Sequence, residues 1–242
     1  MLSDMLGLIR HLFDTYIVPR TCPVCGATLA PHEGPMCMEC LIKLPVCTKS
    51  GPEIFDLRGP IVNGASPFGM AAAWYSYDPA SPYARLIRNA KYNDSPRLAR
   101  TLGAMFAAEQ LRRGTAPGQI DIRDIDVLLP MPMHRSKRLK RGYNQSEEIA
   151  LGMAEVLGLP VGDNLVAVKP HGTQTRLDNT RRAANIKDCF DLHDGHELAG
   201  LNVAVVDDII TTGASMTEAA TVLSLRAPDA ASVSYLALGL TV

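Results

Sequence analysis

One stretch of this sequence limits what the chain can fold into more than any other. Val203, Ala204, Val205 and Val206 form an apolar run without alternation, and the adjacent carboxylates Asp207 and Asp208 follow it. Both faces of such a run must be covered, which is the mark of a central strand in a parallel α/β sheet. Ile209 and Ile210 then lead into Thr211, Thr212, Gly213, Ala214 and Ser215, and a helical pattern with Met216, Ala220 and Leu223 on one face comes next. The order is strand, loop, helix.

Ligands of parallel sheets bind beyond the carboxyl ends of the strands, where Asp207 and Asp208 are expected. Two neighbouring negative charges are costly there unless water, a metal ion or a diol lies between them. Residues 211–215 open a helix, where free backbone N–H groups, hydroxyl donors and the positive dipole end make an anion site. A carboxylate pair for sugar hydroxyls followed by a cradle for phosphate describes a phosphorylated ribose. The competing reading is an acidic turn whose threonine or serine only caps a helix. A response-regulator receiver also carries an acidic pair after a strand, but near the start of its domain, and only about thirty residues follow here.

The cysteines form the second constraint. Cys22, Cys25, Cys37 and Cys40 make two Cys-x-x-Cys pairs eleven residues apart, with Gly26 after the first. Four thiolates so spaced close a tetrahedron around Zn²⁺ and leave no open position, which is a structural zinc ribbon. Cys47 is near enough to be an alternative ligand, and a redox dithiol is the other reading. No apolar run approaches the length of a membrane span, and the N-terminus has neither a basic leader nor a small-residue cleavage site. A cytoplasmic protein is expected, and its six cysteines then read as metal ligands or reduced thiols rather than disulfides. A net charge of −1 confines any nucleic-acid contact to a local patch.

Leu2, Met5, Ile9, Leu12 and Tyr16 define an amphipathic helix over residues 2–17 that ends before Pro19. It docks on its own protein, or on a membrane surface or partner. Residues 48–67 read as a linker, 68–77 as β-prone, 86–91 as a short helix and 97–113 as a longer one stopped by Gly114. Domain boundaries follow: residues 1–50 hold the helix and ribbon, and 51–242 hold the sheet domain.

Val127, Leu128 and Leu129 make the next strand, stopped by Pro130 and Pro132. A basic loop follows with His134, Arg135, Lys137, Arg138, Lys140 and Arg141, then Gly142, Tyr143, Asn144 and Gln145. Asn144 with Glu147 resembles a capping box for a helix through Ile149, Met153 and Val156 that Gly158 ends. If the two strands are parallel neighbours, the basic loop shares an edge with the acidic pair and brings positive charge beside it. A solvated basic loop and a nucleic-acid patch are the alternatives. Residues 169–185 hold Thr173, Gln174, Thr175, Arg176, Arg181, Arg182 and Asn185 with little to bury, as in a mobile surface loop or a lid. Strands are expected over 186–190 and 232–240.

Residues 203–215 resemble the phosphoribosyl-pyrophosphate (PRPP) signature of the type I phosphoribosyltransferases. Arg141 to Gln145, the four cysteines, the Lys91–Tyr92 pair and the Gln174–Leu177 stretch narrow the resemblance to the ComF family of competence-associated proteins. Arg176 stands beside Leu177, where that family usually has a glycine. The resemblance implies a type I phosphoribosyltransferase-like parallel sheet flanked by helices, an N-terminal four-cysteine zinc ribbon, and a hood over the site from residues 68–113. It implies transfer of a phosphoribosyl group from PRPP to an unidentified acceptor, with release of pyrophosphate. Asp207 and Asp208 would take the ribose hydroxyls and the water shell of Mg²⁺, and Thr211, Thr212, Gly213, Ala214 and Ser215 the 5′-phosphate. Arg135 and Arg141 would meet the leaving group, with Arg176 or Arg181 arriving from the lid. The alternative is a non-catalytic adaptor that binds single-stranded DNA or a competence-machinery partner. A PRPP-sensing regulator is a third reading, against which stands the lack of a helix-turn-helix signal.

Overall fold

The unalternating run is buried on both sides. In the computed structural model, which describes residues 20–30, 33–49, 51, 53–54, 67–92, 95–115, 118–169 and 188–241 (the Tyr92 side chain excepted), it lies within a strand from Asn202 to Ile210. Ala204 and Val206 face one apolar core and Val203 and Val205 face another. All four are completely buried. The helix expected over residues 2–17 lies outside the described residues, as do Arg176 and Arg181.

The main sheet has four parallel strands. In chain order they are β1 (Phe68–Tyr77), β2 (Val127–Pro130), β5 (Asn202–Ile210) and β6 (Ser232–Thr241), arranged β1-β6-β5-β2 in space. Two short strands, β3 (Leu165–Ala167) and β4 (Phe190–Leu192), pair antiparallel to each other. The expected strand over 186–190 therefore starts later than its sequence suggested, with Asp188 at positive φ just before it.

Helices cover both faces. A short helix, α1 (Met38–Ile42), belongs to the cysteine module. On one side of the sheet lie α2 (Ala84–Tyr92), α3 (Pro96–Arg113) and α5 (Gln145–Leu157), whose Leu86, Ile87, Leu102, Phe106, Ile149 and Met153 pack over Leu128, Ala204 and Leu236. On the other lie α6 (Ala214–Arg226) and the β3–β4 pair, whose Met216, Leu223, Phe190 and Leu192 pack over Leu129, Val205 and Tyr235. Helix α4 (Arg135–Arg141) follows β2. The expected parallel α/β sheet flanked by helices is what the chain forms. The segment read as a hood supplies both the edge strand β1 and helix α3, which packs on α5.

Residues read as a linker, together with Cys47 just before them, also have a structural task. Cys47 N–H donates to the Trp74 carbonyl, Gly51 N–H to the Ala71 carbonyl, and Ile54 is completely buried. Together with the Gln119 side chain, which accepts from Ala71 N–H, these contacts cover the β1 edge that would otherwise be open to pairing.

Candidate functional site

The sheet opens where β2 stops. Pro130 pairs with Val206, and the last bond of that ladder is Met131 N–H to the Val206 carbonyl at 2.7 Å. Beyond this point β5 keeps only its β6 neighbour, since Asp207 pairs with Ala237 and Ile210 with Leu240. Asp207 and Asp208 thus lie inside the strand rather than after it, at the level where β2 leaves.

Asp207 is half-buried, and its Oδ1 accepts from Ser146 Oγ at 2.9 Å and from Asp208 N–H at 2.8 Å. Burial, then the charge of Asp208, push its carboxyl up to about 7, against the pull of the Asp208 N–H, Lys91 and Ser146. Asp208 is buried, and Lys91 of α2 brings Nζ to 2.8 Å from its Oδ2. The two form an ion pair, and apart from that ammonium the buried oxygen has no hydrogen-bond partner among the described residues. A buried acceptor with a lone pair to spare is a place for a ligand.

The basic stretch is a helix, not a loop. His134 caps α4 by accepting from Ser136 N–H, and Gly142 ends it in the left-handed conformation. A helix sorts its side chains by face, which a loop would not. Lys137 and Arg141, four apart, share the inner face: burial lowers the Lys137 ammonium pKa, Arg141 and Lys91 add to this, and Asp207 and Asp208 oppose it. Arg135, Arg138, Leu139 and Lys140 are exposed, with Arg138 paired to Glu147 at 3.0 Å.

The residues after α4 serve as fasteners. The Tyr143 hydroxyl donates to the Ala90 carbonyl, one residue before Lys91. Asn144 donates from Nδ2 to the Met131 carbonyl at 3.0 Å and caps α5 by accepting from Ser146 N–H. Arg141 donates to the side-chain oxygen of Gln145. The expected helix and its Asn144 cap are present, but Glu147 is engaged with Arg138.

After Ile210 the chain turns through residues 211–213, where Gly213 adopts φ +76° and caps α6. The Thr212 hydroxyl accepts from Ala214 N–H at 3.4 Å. Thr211 is exposed, Thr212, Ala214 and Ser215 are half-buried, and Gly213 is buried.

The cysteines form a separate centre. The sulfurs of Cys22, Cys25, Cys37 and Cys40 all lie within 4.8 Å of one another, and Cys25 Sγ is 3.7 Å from Cys37 Sγ. Thiolates about 2.3 Å from one tetrahedral Zn²⁺ stand roughly 3.8 Å apart, so the spacing suits that ion. The Cys22 thiol falls to about 7: burial opposes ionisation, but the N–H groups of Cys25, Cys37 and Val24 outweigh it. Cys47 is not in the group; it lies buried against β1, its thiol pushed up by burial.

A scan against protein-family models finds no match. Among curated proteins, the chain is 26% identical over 203 residues to the DNA utilization protein YhgH of Salmonella typhimurium, covering 84% of this chain and 77% of the relative. It is 30% identical over 139 residues to competence protein F of Haemophilus influenzae, covering 57% and 59%, and 31% identical over 112 residues to competence protein ComFC of Bacillus subtilis, covering 46% and 43%.

These relatives support the resemblance to the ComF family.

In this ComF-like chain the packing brings together Asp207, Asp208, Lys91, Lys137, Arg141 and Ser146. Of these, the sequence had pointed to Asp207, Asp208 and Arg141 as site residues. Lys137 was concealed because its stretch read as a loop; its i, i+4 spacing to Arg141 is the signal that would have found it. Lys91 stood out only as half of a Lys-Tyr pair, and nothing local distinguishes Ser146. Arg135 stands exposed in the first turn of α4. Among the described residues, no helix is long and apolar enough to cross a membrane.

Proposed function

We propose that this chain binds PRPP at the carboxyl end of β5 and transfers its phosphoribosyl group to an acceptor in support of DNA use. The observation that carries the reading is the buried Oδ2 of Asp208 beside Asp207, ion-paired with Lys91 and otherwise without a hydrogen-bond partner among the described residues, three residues ahead of a hydroxyl- and glycine-rich helix start. Asp207 and Asp208 accept from the ribose hydroxyls, and the 211–215 turn donates N–H and hydroxyl groups to the 5′-phosphate. Mg²⁺, when bound, would offset the charge of the diphosphate beside the carboxylates through its water shell. Lys137 and Arg141 on the inner face of α4 supply fixed positive charge toward the leaving group, with Arg135 at the rim and Arg176 or Arg181 as candidates from the lid segment.

The bond from the anomeric carbon to the diphosphate oxygen breaks with the electron pair leaving on the diphosphate. The acceptor forms the new bond to that carbon and loses its proton. Positive charge grows on the ribose and negative charge on the leaving group, so Asp207 and Asp208 on one side and Lys137 and Arg141 on the other oppose them in a preset arrangement. The four-cysteine cluster holds Zn²⁺ as a structural ion. The names of the relatives, DNA utilization and competence proteins, support a role in which the product or the protein serves DNA use.

Calorimetric titration of PRPP with Mg²⁺ tests the reading. The wild type should bind, and a protein carrying Asp207→Asn and Asp208→Asn should show no heat of binding at the same concentrations. A wild type that takes no PRPP overturns the proposal, and single-stranded DNA would then be the next ligand to titrate.

A further inference from the structure

The ion pair between Lys91 and Asp208 joins two distant parts of the chain, in the middle of the site. Lys91 is the next-to-last residue of α2, and its side chain is 22% exposed against 7% for that of Asp208. The ammonium lies 2.8 Å from a carboxylate oxygen that otherwise has no hydrogen-bond partner among the described residues. It balances the charge of that carboxylate. Its backbone is held from the other side: the Tyr143 hydroxyl grips the Ala90 carbonyl, and Asn144 ties the same segment to Met131 at the end of β2. The groups facing this point include Lys91 from α2, Lys137 and Arg141 from α4, Ser146 from α5, Tyr75 from β1, and the two carboxylates of β5.

We infer that Lys91 is a resident counter-cation of the acidic pair, which keeps a free divalent ion out and yields its place when a ligand brings the metal with an anion. A lysine and a metal dication at one carboxylate repel each other. Metal alone must displace the ammonium from its carboxylate toward the other cations of a half-buried site. Metal with a diphosphate gives the displaced ammonium a new anionic partner within the reach of its flexible stem. Lys91 therefore couples metal binding to anion binding, and Tyr143 positions it by fixing the last turn of α2. This inference rests on the PRPP reading for the identity of the anion, but its core concerns the metal alone.

The probe is Mn²⁺ without any phosphate, titrated into the zinc-loaded full chain and followed by the electron paramagnetic resonance signal of the free ion. Lys91→Met should bind Mn²⁺ about tenfold tighter than wild type or better, the scale on which a like charge at this distance acts. Adding Asp208→Asn should abolish the gain. Lys91→Arg, which keeps the charge, should stay at the wild-type affinity. Tyr143→Phe removes only the hydroxyl that holds Ala90, should move affinity in the same direction as Lys91→Met, and serves if that variant does not fold. Equal or weaker Mn²⁺ binding by Lys91→Met, or by Tyr143→Phe in its place, overturns the inference. A wild type that binds PRPP while Lys91→Met shows no gain for Mn²⁺ refutes the counter-cation and leaves the PRPP reading standing. A gain for Mn²⁺ with no PRPP binding does the reverse.

Discussion

Asp207 accepts two hydrogen bonds, yet burial and the neighbouring Asp208 hold a proton on it up to about pH 7. An aspartate in the unfolded chain titrates near 4. Between roughly pH 4 and 7 the folded, ligand-free protein keeps a proton that the unfolded chain has lost. This contribution to stability is full below about pH 4 and is lost as pH rises through 7, at no more than about 1.4 kcal/mol per pH unit. Urea unfolding in metal-free buffer at pH 5, 6, 7 and 8 should show that fall, and Asp207→Asn should flatten it. A slope unchanged by the substitution would mean that the carboxyl is already ionised at pH 5. Lys91 faces the same pair, and its replacement by Met should raise the proton affinity of Asp207 further and carry the fall to higher pH.

At the scale of elements, the site depends on how α5 meets its neighbours. Helix α5 carries Ser146 at its start and lies against α3, and two glycines set the closeness of that contact. A Cβ at Gly152 would collide with the Arg100 carbonyl oxygen, and one at Gly103 with that of Ile149. Arg100 and Glu148 pair beside this crossing at 2.9 Å. On an open helix face, Gly→Ala gains about 1 kcal/mol. At Gly152 the same change should instead cost about 2 kcal/mol, because two backbones must separate. Chemical denaturation of Gly152→Ala against wild type measures it, and a more stable variant would show that the helices can part freely. The polar outer face of α4 is set in a similar local way: the His134 cap and Gly142 end turn a basic run into a helix, which turns Leu139 out to 84% exposure and leaves Lys137 half-buried.

Across the whole molecule, the cysteine module and the sheet domain share one core. Cys22, Val24, Met36, Cys40 and Leu44 join Trp74, Leu86 and Ile87 in a single apolar cluster. Tyr83 donates its hydroxyl to the Cys40 carbonyl at 2.9 Å, and Arg85 reaches the Val24 carbonyl at 3.1 Å. Tyr83 precedes helix α2 and Arg85 lies in its first turn; Lys91 lies at the other end of that helix, so a metal held by the module would brace an element that carries the counter-cation of the acidic pair. Removing zinc with a thiol reagent and chelator should lower Tm of the entire protein in one transition, by about 6–12 °C for a loss of about 3 kcal/mol at this chain length. Metal release should be one zinc per chain, and Cys25→Ser should abolish tight retention. A zinc-free protein with unchanged Tm would show the module to be energetically separate.

Much of this protein is decided by patterns local enough to read along the chain. The unalternating run at 203–206 required a strand covered on both faces, since no other placement buries four consecutive apolar side chains of a strand. Strand β2 ends at Pro130, beside the prolines that marked its stop, and the two cysteine pairs bring their four sulfurs to one point. The acidic pair and the 211–215 turn were legible because strand, carboxylates and helix start are contiguous. Only the tertiary structure decided which cations meet the pair. Lys91 comes from a helix far earlier in the chain, and Lys137 faces inward only because its segment is helical. No local pattern encodes that meeting, because it depends on how α2, α4 and α5 pack around the point where β2 leaves the sheet.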